Sequence, residues 1–171
     1  MAMDNQETVI QALKDHLKPE QISINETIKE LHGKDESYHK MELPDIVVFP
    51  ETTQQVSGIM KVSQQYKVPV VPFGLGSSLE GHVIPQSGGI TVDFSLMNKV
   101  LDVDAEDFLV TVQPGVTRTQ LNKELKKHGL FFTVDPGADA TLGGMAATNA
   151  SGTTSVKYGV MRDQVRDLFR F

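Results

Sequence analysis

The residues best suited to bind a ligand lie in one glycine- and serine-rich stretch, residues 72–82, with the sequence PFGLGSSLEGH. An apolar run over residues 68–73 leads into this stretch and predicts a buried strand. Glycine has no Cβ and reaches positive φ, so successive backbone N–H groups can converge on one point that a large anion can approach. The stretch therefore predicts a diphosphate site at a strand end, and a plain tight turn stays open as the alternative.

Two common phosphate-binding loops do not fit this stretch. A P-loop ends in Gly-Lys-Ser or Gly-Lys-Thr, and a Rossmann dinucleotide site begins a helix within its glycines. Neither pattern is present, because Pro85 and the glycine pair at 88–89 would break a helix soon after Gly81. Backbone N–H groups and serine hydroxyls, rather than a helix N-terminus, would have to bind the phosphate.

A second unusual stretch covers residues 135–152, where nearly all side chains are small. The pattern predicts a helix over residues 141–150 with Thr141 as its N-cap. Gly143 and Gly144 are poor helix formers, so this composition indicates that something flat or bulky lies against the backbone. Close helix packing and a flexible linker are the two alternatives.

Composition excludes several classes of protein. The 171 residues suit one domain or two small subdomains. A net charge of −6 with no basic cluster argues against a nucleic-acid partner. No apolar run approaches the ~18 residues that span a membrane. The chain has no cysteine, which excludes disulfides and thiolate chemistry and favours a cytoplasmic location.

Titratable residues outside the two stretches show no catalytic or metal-binding pattern. Four histidines are scattered without ligand spacing, and we expect surface or capping roles for them: His16, His32, His39 and His128. Four carboxylates are expected to lie in a solvated turn: Asp102, Asp104, Glu106 and Asp107. The sequence therefore assigns no catalytic residue and no metal ligand.

Hydrophobic periodicity predicts an α/β arrangement in the first half of the chain. Helices are expected over residues 5–17 and 20–31, with a third after Thr52. Strands are expected over residues 45–50, 68–73 and 89–94. A strand, a helix and a strand in succession form a βαβ unit with parallel strands, so the first glycine-rich stretch should lie at a carboxyl end, where α/β sheets bind ligands.

The second half of the chain does not continue the alternation of strands and helices. Residues 100–103 and 108–112 predict a hairpin, and a helix capped by Thr117 should end at Gly129. We therefore expect three segments: an N-terminal helical segment (1–43), a first subdomain with the βαβ unit and the glycine-rich loop (44–97), and a second, mixed or antiparallel subdomain (98–171) that is expected to be incomplete, as if truncated.

Five segments, in this order, resemble one family: PDIVVFPETTQQV, PFGLGSSLEG, VQPGVTRTQLN, VDPGADATLGGMAATNASG and YGVMRDQV. Together they cover about residues 44–165. They resemble the FAD-linked oxidases, whose FAD-binding domain is of the vanillyl-alcohol oxidase and p-cresol methylhydroxylase (PCMH) type. The closest likeness is to FAD-dependent D-lactate dehydrogenases and the flavin subunit of glycolate oxidase.

This resemblance implies an α+β (α/β) fold in which both unusual stretches contact one FAD. The first would bind the pyrophosphate through Pro72, Gly74, Leu75, Gly76, Ser77, Ser78 and Gly81. The second would line the pyrophosphate, ribityl chain and isoalloxazine through Pro136, Gly137, Ala138, Thr141, Gly143, Gly144, Ala147, Thr148, Asn149, Gly152, Tyr158 and Gly159. Relatives with covalent flavin have a histidine where Ser77 aligns, so the resemblance implies non-covalent FAD, with His82 as a loop or packing residue.

The resemblance further implies a flavin-dependent 2-hydroxy-acid oxidoreductase, in which hydride passes from the substrate to flavin N5. In such enzymes the histidine base, the arginines that hold the carboxylate and any metal belong to parts that these segments do not include, so we expect the chain alone to be inactive. One alternative is a truncated, non-catalytic remnant with weak or no FAD binding, which pairs with itself or with a complementing chain at an exposed sheet edge. Another is a phosphate- or nucleotide-binding module unrelated to flavin.

Overall fold

A computed structural model describes residues 3–168 and divides the chain into two units, Met1–Leu96 and Met97–Phe171. The first unit contains a four-stranded sheet: β1 (Ile22–Ser23), β2 (Ile46–Val48), β3 (Val70–Phe73) and β4 (Ile90–Asp93). Its helices are α1 (Met3–Leu13), α2 (Glu26–His32) and α3 (Thr53–Tyr66). All residues of β2 and β4 are buried, so these two strands form the centre of this unit's core.

The sheet has the order β1-β2-β4-β3. β2 and β3 each pair in parallel with β4, and β1 pairs antiparallel with β2. The three predicted strands are therefore present, and all three run parallel. The βαβ prediction was wrong in one respect, because β2 and β3 do not pair with each other. β4 lies between them, and all four of its residues are buried, as is typical of a central parallel strand.

Two helices cover the core of this unit. Thr52 caps α3 as predicted, with its Oγ1 accepting a hydrogen bond from the N–H of Gln55. α1 packs against α3 through Val9 and Leu13, which are fully buried. The prediction for α1 was wrong at its end, because the helix stops at Leu13. The N–H groups of Asp15 and His16 then donate to carbonyl oxygens three residues back. Leu17, whose N–H donates to the carbonyl oxygen of Leu13, is buried in the core.

The prediction of one helix over residues 20–31 was wrong. A 3₁₀ turn (Pro19–Gln21) leads into β1, and α2 begins only after Asn25, which caps it. Gln21 accounts for the difference. Its side chain is buried and donates to the carbonyl oxygen of Phe49, 2.7 Å away. This long-range contact fixes the chain beside β2, and it overrides the local helical pattern.

A buried ion pair lies at the end of α2. His32 Nε2 is 2.7 Å from Asp93 Oδ2, and His32 Nδ1 is 2.7 Å from the carbonyl oxygen of Ile28. Phe49 and Phe73 flank the imidazole ring, with ring centroids 5.9 and 4.5 Å away. The prediction of a surface or capping role for His32 was therefore wrong, because the side chain is buried and paired with Asp93. No local signal indicated this partner, which lies 61 residues along the chain.

The pair stabilises its own charged form. Burial lowers the pKa of His32, but hydrogen bonds to Asp93 and to the Ile28 carbonyl outweigh that effect and raise the pKa above its ordinary value. Burial likewise raises the pKa of Asp93, but hydrogen bonds from His32 and Ser95 hold it below its ordinary value. Both shifts therefore favour the charged forms of the two groups.

The second unit begins with the predicted hairpin, formed by β5 (Val100–Asp104) and β6 (Leu109–Val112). In its turn, Asp104 Oδ1 accepts hydrogen bonds from two backbone N–H groups, and the neighbouring carboxylates are exposed. Thr117 caps α4 (Arg118–Leu125), and a 3₁₀ turn (Lys126–His128) leads to Gly129, as predicted. Three shorter helices follow: α5 (Leu142–Thr148), α6 (Ser155–Tyr158) and α7 (Met161–Gln164).

This unit has its own core, formed where β5, β6 and the helices meet. Its buried members are Val116, Leu121, Leu125, Val134, Leu142, Met145 and Met161. Within residues 3–168, no cluster of three or more His, Asp or Glu side chains is arranged to hold a metal ion. Across the same residues, none of the helices has the length and apolar character needed to cross a bilayer.

Replacing His32 tests the ion pair. A raised histidine pKa contributes stability that is fully present below about pH 6.5 and is lost as the pH rises through the folded-state pKa. We expect the free energy of unfolding of the wild type to decline over that range. His32→Leu leaves Asp93 buried without its partner, so it should be less stable by about 3 kcal/mol near pH 6 and should lack that decline. Urea unfolding across pH 5–9 measures both.

His128→Leu is the matched control, because His128 is exposed. It should keep the stability and the pH profile of the wild type. Parallel pH profiles for the wild type and His32→Leu would show that the pair does not favour its charged form.

Candidate functional site

The glycine-rich loop after β3 presents a row of unpaired backbone N–H groups. In the part of the chain that the structure describes, the N–H groups of residues 74–79 donate to no other group of the protein. The next two are paired, Glu80 N–H with Ser78 Oγ and Gly81 N–H with Asp35 Oδ2. Because residues 74 and 76–78 are half-buried rather than fully solvated, their N–H groups are suited to an anionic ligand.

Gly76 makes the bend of this loop possible. Its φ is +66°, and a Cβ built on it would lie 2.8 Å from Cζ of Phe73. Any side chain here would therefore be strained and would press on a buried ring. Phe73 in turn packs against His32, so the start of the loop rests directly on the core of the first unit.

The exposed residues of the loop have different surroundings. Leu75 and Leu79 are exposed, as is Pro72 at the end of β3. His82 is exposed too, and its Nδ1 lies 3.2 Å from Ser78 Oγ. The hydrogen bond to Ser78 fits the loop role expected for His82.

The first turn of α5 is closed to ligands. The N–H groups of Leu142 and Gly143 donate to the carbonyl oxygens of Val116 and Pro114, at 2.8 and 2.9 Å. The N–H of Gly144 donates to Oγ1 of Thr141, which caps the helix as predicted. A Cβ on Gly143 would lie 2.7 Å from Cβ of Pro114, so close packing explains this glycine.

One face of α5 is nevertheless open and almost free of side chains. Gly144, Ala147 and Thr148 share this face and are exposed, whereas Leu142 and Met145 point into the core. A Cβ on Gly144 would have only Thr141 Oγ1 near it, at 3.0 Å. A flat ring could therefore lie against this face without meeting a bulky side chain.

The remaining predicted residues are on the loops around α5. Pro136, Gly137 and Ala138 lie in an exposed or half-buried loop, where Gly137 N–H donates to Asp135 Oδ1. No protein atom lies within 4 Å of the position that a Cβ on Gly137 would occupy. This loop is thus accessible, like the open face of α5.

Four of the predicted residues make structural contacts instead. Asn149 ends α5 at φ 50° and accepts a hydrogen bond from Arg162 N–H. A Cβ on Gly152 would overlap the carbonyl oxygen of Asp135, and one on Gly159 would crowd Asp163. The Tyr158 ring packs edge-on against Phe131, with centroids 5.8 Å apart. These contacts hold the segments around α5 together and do not exclude ligand contacts.

One groove lies outside both stretches. It has a volume of about 790 Å³, is widely open, and lies between β5 and α4. None of the predicted site residues lines it. The unpaired N–H groups and the open helix face are the better candidates, because they have a specific chemistry that this wide groove lacks.

Sequence reasoning missed one residue at the loop. Asp35 accepts hydrogen bonds from Gly81 N–H and Ser37 N–H, at 2.9 and 3.0 Å. Partial burial raises its pKa, but hydrogen bonds from Ser37, Gly81 and Ser78 outweigh that effect and leave the pKa below its ordinary value. The surrounding segment, residues 33–43, is polar and irregular in sequence. No local signal links it to a loop 46 residues away.

Comparisons with known proteins show the family to which the chain belongs. A family model described as "FAD binding domain" matches residues 44–168. A probable mitochondrial D-lactate dehydrogenase of Danio rerio is 47% identical over 95% of this chain and 33% of its own length. The glycolate oxidase subunit GlcD of Bacillus subtilis is 34% identical over 86% of this chain and 32% of its own. The chain thus spans about a third of the length of these relatives.

Solved structures show the same fold. An alkyldihydroxyacetonephosphate synthase superposes with a TM-score of 0.86 at 29% identity, over 93% of this chain and 32% of that one. A p-cresol methylhydroxylase superposes with a TM-score of 0.68 at 22% identity, over 76% of this chain and 26% of that one. The resemblance seen in the sequence is therefore confirmed, and the chain belongs to the FAD-binding domain family, with an α+β fold of the vanillyl-alcohol oxidase and PCMH type and FAD as its cofactor.

Proposed function

We propose that this chain is the FAD-binding portion of a flavin-dependent 2-hydroxy-acid oxidoreductase, of the D-lactate dehydrogenase and glycolate oxidase kind. The observation that carries the proposal is the row of unpaired N–H groups at residues 74–79, in a chain of the FAD-binding domain family. FAD supplies a hydride acceptor at its N5 atom when it is bound. The names of the relatives point to D-lactate and glycolate as the class of substrate.

In this proposal the loop binds the diphosphate of FAD. A P-loop provides a lysine for this purpose, but residues 72–82 contain no lysine or arginine. The charge must therefore be stabilised by N–H dipoles, with the Ser77 hydroxyl as a further donor. Half-burial favours this, since N–H groups that are shielded from water interact more strongly with an anion.

The second stretch is proposed to contact the flavin and ribityl parts. The open face at Gly144, Ala147 and Thr148 offers backbone surface to a flat ring, and the loop at residues 136–138 is accessible beside it. Because the N–H groups of residues 142–144 are already paired, this stretch would act through van der Waals contact. Each stretch, taken by itself, thus fits the part of FAD that is assigned to it.

We propose further that FAD is held without a covalent bond. The loop has Ser77 where covalent relatives have a histidine, and the chain has no cysteine. His82 is the nearest histidine along the chain, and its Nδ1 is engaged with Ser78 Oγ. Denaturation should therefore release all FAD into solution.

The residues that act on the substrate are not assigned to this chain. It spans about a third of its relatives' length, and we propose that the base and the carboxylate-binding groups belong to parts of the relatives that it does not match. The cytoplasmic location also stays a prediction, since the relative from Danio rerio is named as mitochondrial.

The visible spectrum of the purified chain tests the proposal. Yellow protein that releases FAD on denaturation, or colourless protein that binds added FAD, supports it. Protein that binds no FAD and associates with itself would support the non-catalytic alternative. Preference for ATP or inorganic phosphate over FAD would support an unrelated phosphate module.

Gly76→Ala tests the loop. Alanine would have to adopt positive φ at this position, and its Cβ would press on the ring of Phe73. The loop should therefore shift. We expect the dissociation constant for FAD to rise by about tenfold or more, as measured by flavin fluorescence titration. Gly129→Ala is the matched control, because its φ is +71° but no atom lies within 4 Å of its Cβ position. Equal FAD affinity in the two variants would contradict the role of the loop.

Gly144→Leu tests the open face of α5. Its side chain would extend into open space, so thermal stability should stay within a few degrees of the wild type. Affinity for FAD should fall by about tenfold or more if the flavin lies there. Gly143→Ala should instead lower the melting temperature, because its Cβ would meet Pro114. Unchanged FAD affinity in Gly144→Leu would exclude this face from the site.

A further inference from the structure

We infer that residues 32–39, here called the strap, position the glycine-rich loop for its cofactor, and that Asp35 is the positioning residue that fixes the end of the loop. The inference rests on the proposed function, since it assigns the loop to FAD. The strap and the loop both belong to the first unit.

Hydrogen bonds and a packing contact join the strap to the loop. Glu36 N–H donates to the carbonyl oxygen of Ser78, 3.1 Å away. Gly81 N–H donates to Oδ2 of Asp35, 2.9 Å away. The ring of His39 packs on Gly81 so closely that a Cβ there would overlap it. The strap therefore holds the C-terminal part of the loop, residues 78–81.

Asp35 joins the two segments through one carboxylate. Its Oδ1 accepts from Ser37 N–H within the strap, and its Oδ2 accepts from Gly81 N–H within the loop. A negative charge beside an anion site is electrostatically unfavourable for the ligand. The position of this carboxylate is therefore better explained by the geometry that it imposes than by any contact with a diphosphate.

The strap is itself anchored at its base. His32 is bound to Asp93 and packs against Phe73, so the strap begins in the core. Glu42 N–H donates to the carbonyl oxygen of Gly33, 3.1 Å away, which brings the two ends of the segment 33–42 together. A loop with joined ends keeps its shape more readily than an open one.

These contacts leave the loop fixed at both ends. Phe73 supports it below Gly76, and Asp35 holds it at Gly81. The residues between them carry the unpaired N–H groups. Ordering those groups before the ligand arrives removes part of the entropy cost of binding, which is the benefit of preorganisation. Loss of the Asp35 carboxylate should therefore weaken FAD binding without removing any ligand contact.

Asp35→Ala is the test, with Asp104→Ala as its matched control. Asp104 also accepts two backbone N–H groups in an exposed turn, but that turn belongs to the β5–β6 hairpin. We expect Asp35→Ala to raise the dissociation constant for FAD by about tenfold, and Asp104→Ala to leave it unchanged. Hydrogen exchange of the FAD-free protein should show faster exchange at Gly81 only in Asp35→Ala.

Asp35→Asn separates geometry from charge and serves if Asp35→Ala does not fold. Its amide oxygen can accept one of the two hydrogen bonds, so FAD affinity should lie between those of the wild type and Asp35→Ala. Tighter binding in Asp35→Asn would mean that Asp35 acts by repelling the ligand, and it would overturn the inference. Unchanged affinity in both Asp35 variants would overturn it too. Absence of FAD binding in the wild type would instead overturn the proposed function, and the inference with it.

Discussion

The constraint on which the structure depends is the satisfaction of backbone hydrogen bonds. Buried N–H groups in a folded protein are nearly always paired. The six successive N–H groups of residues 74–79, which are half-buried or exposed, have no partner within the described chain. The loop cannot pair them internally because Gly76 turns the chain at positive φ just after β3 ends. An arrangement of this kind persists only if water or a ligand satisfies it and the surroundings hold it in place.

The two glycine-rich stretches look alike in sequence but differ in what their glycines do. In the first, six successive N–H groups have no partner within the described chain, which suits an anion. In the second, the N–H groups of residues 142–144 donate to Val116, Pro114 and Thr141. Gly143 allows helix α5 to pack against Pro114. The face at Gly144 and the loop at residues 136–138 are left open. One stretch is therefore suited to charge and the other to a flat surface, a division that matches a dinucleotide with a diphosphate and an aromatic ring.

Local signals predicted much of the fold. The threonine caps at 52, 117 and 141 were each recognised from the residues next to them, and the strands and the hairpin followed from short apolar runs. Long-range contacts account for the errors. Gln21 is fixed beside β2 by Phe49, and β4 enters between β2 and β3. At the candidate site the glycines were visible in sequence, but His32 and Asp35 were not, because their partners lie 61 and 46 residues away.

The central claim is that the unpaired amides of the loop bind the diphosphate. Amide resonances of the ¹⁵N-labelled chain, recorded as FAD is added, test it most directly. The account predicts large shifts at residues 74–79, reproduced in part by ADP, which has the diphosphate without the flavin. The amides of residues 142–144 should keep their present partners and respond only to FAD. Binding of FAD that leaves the resonances of residues 74–79 unchanged would contradict the account.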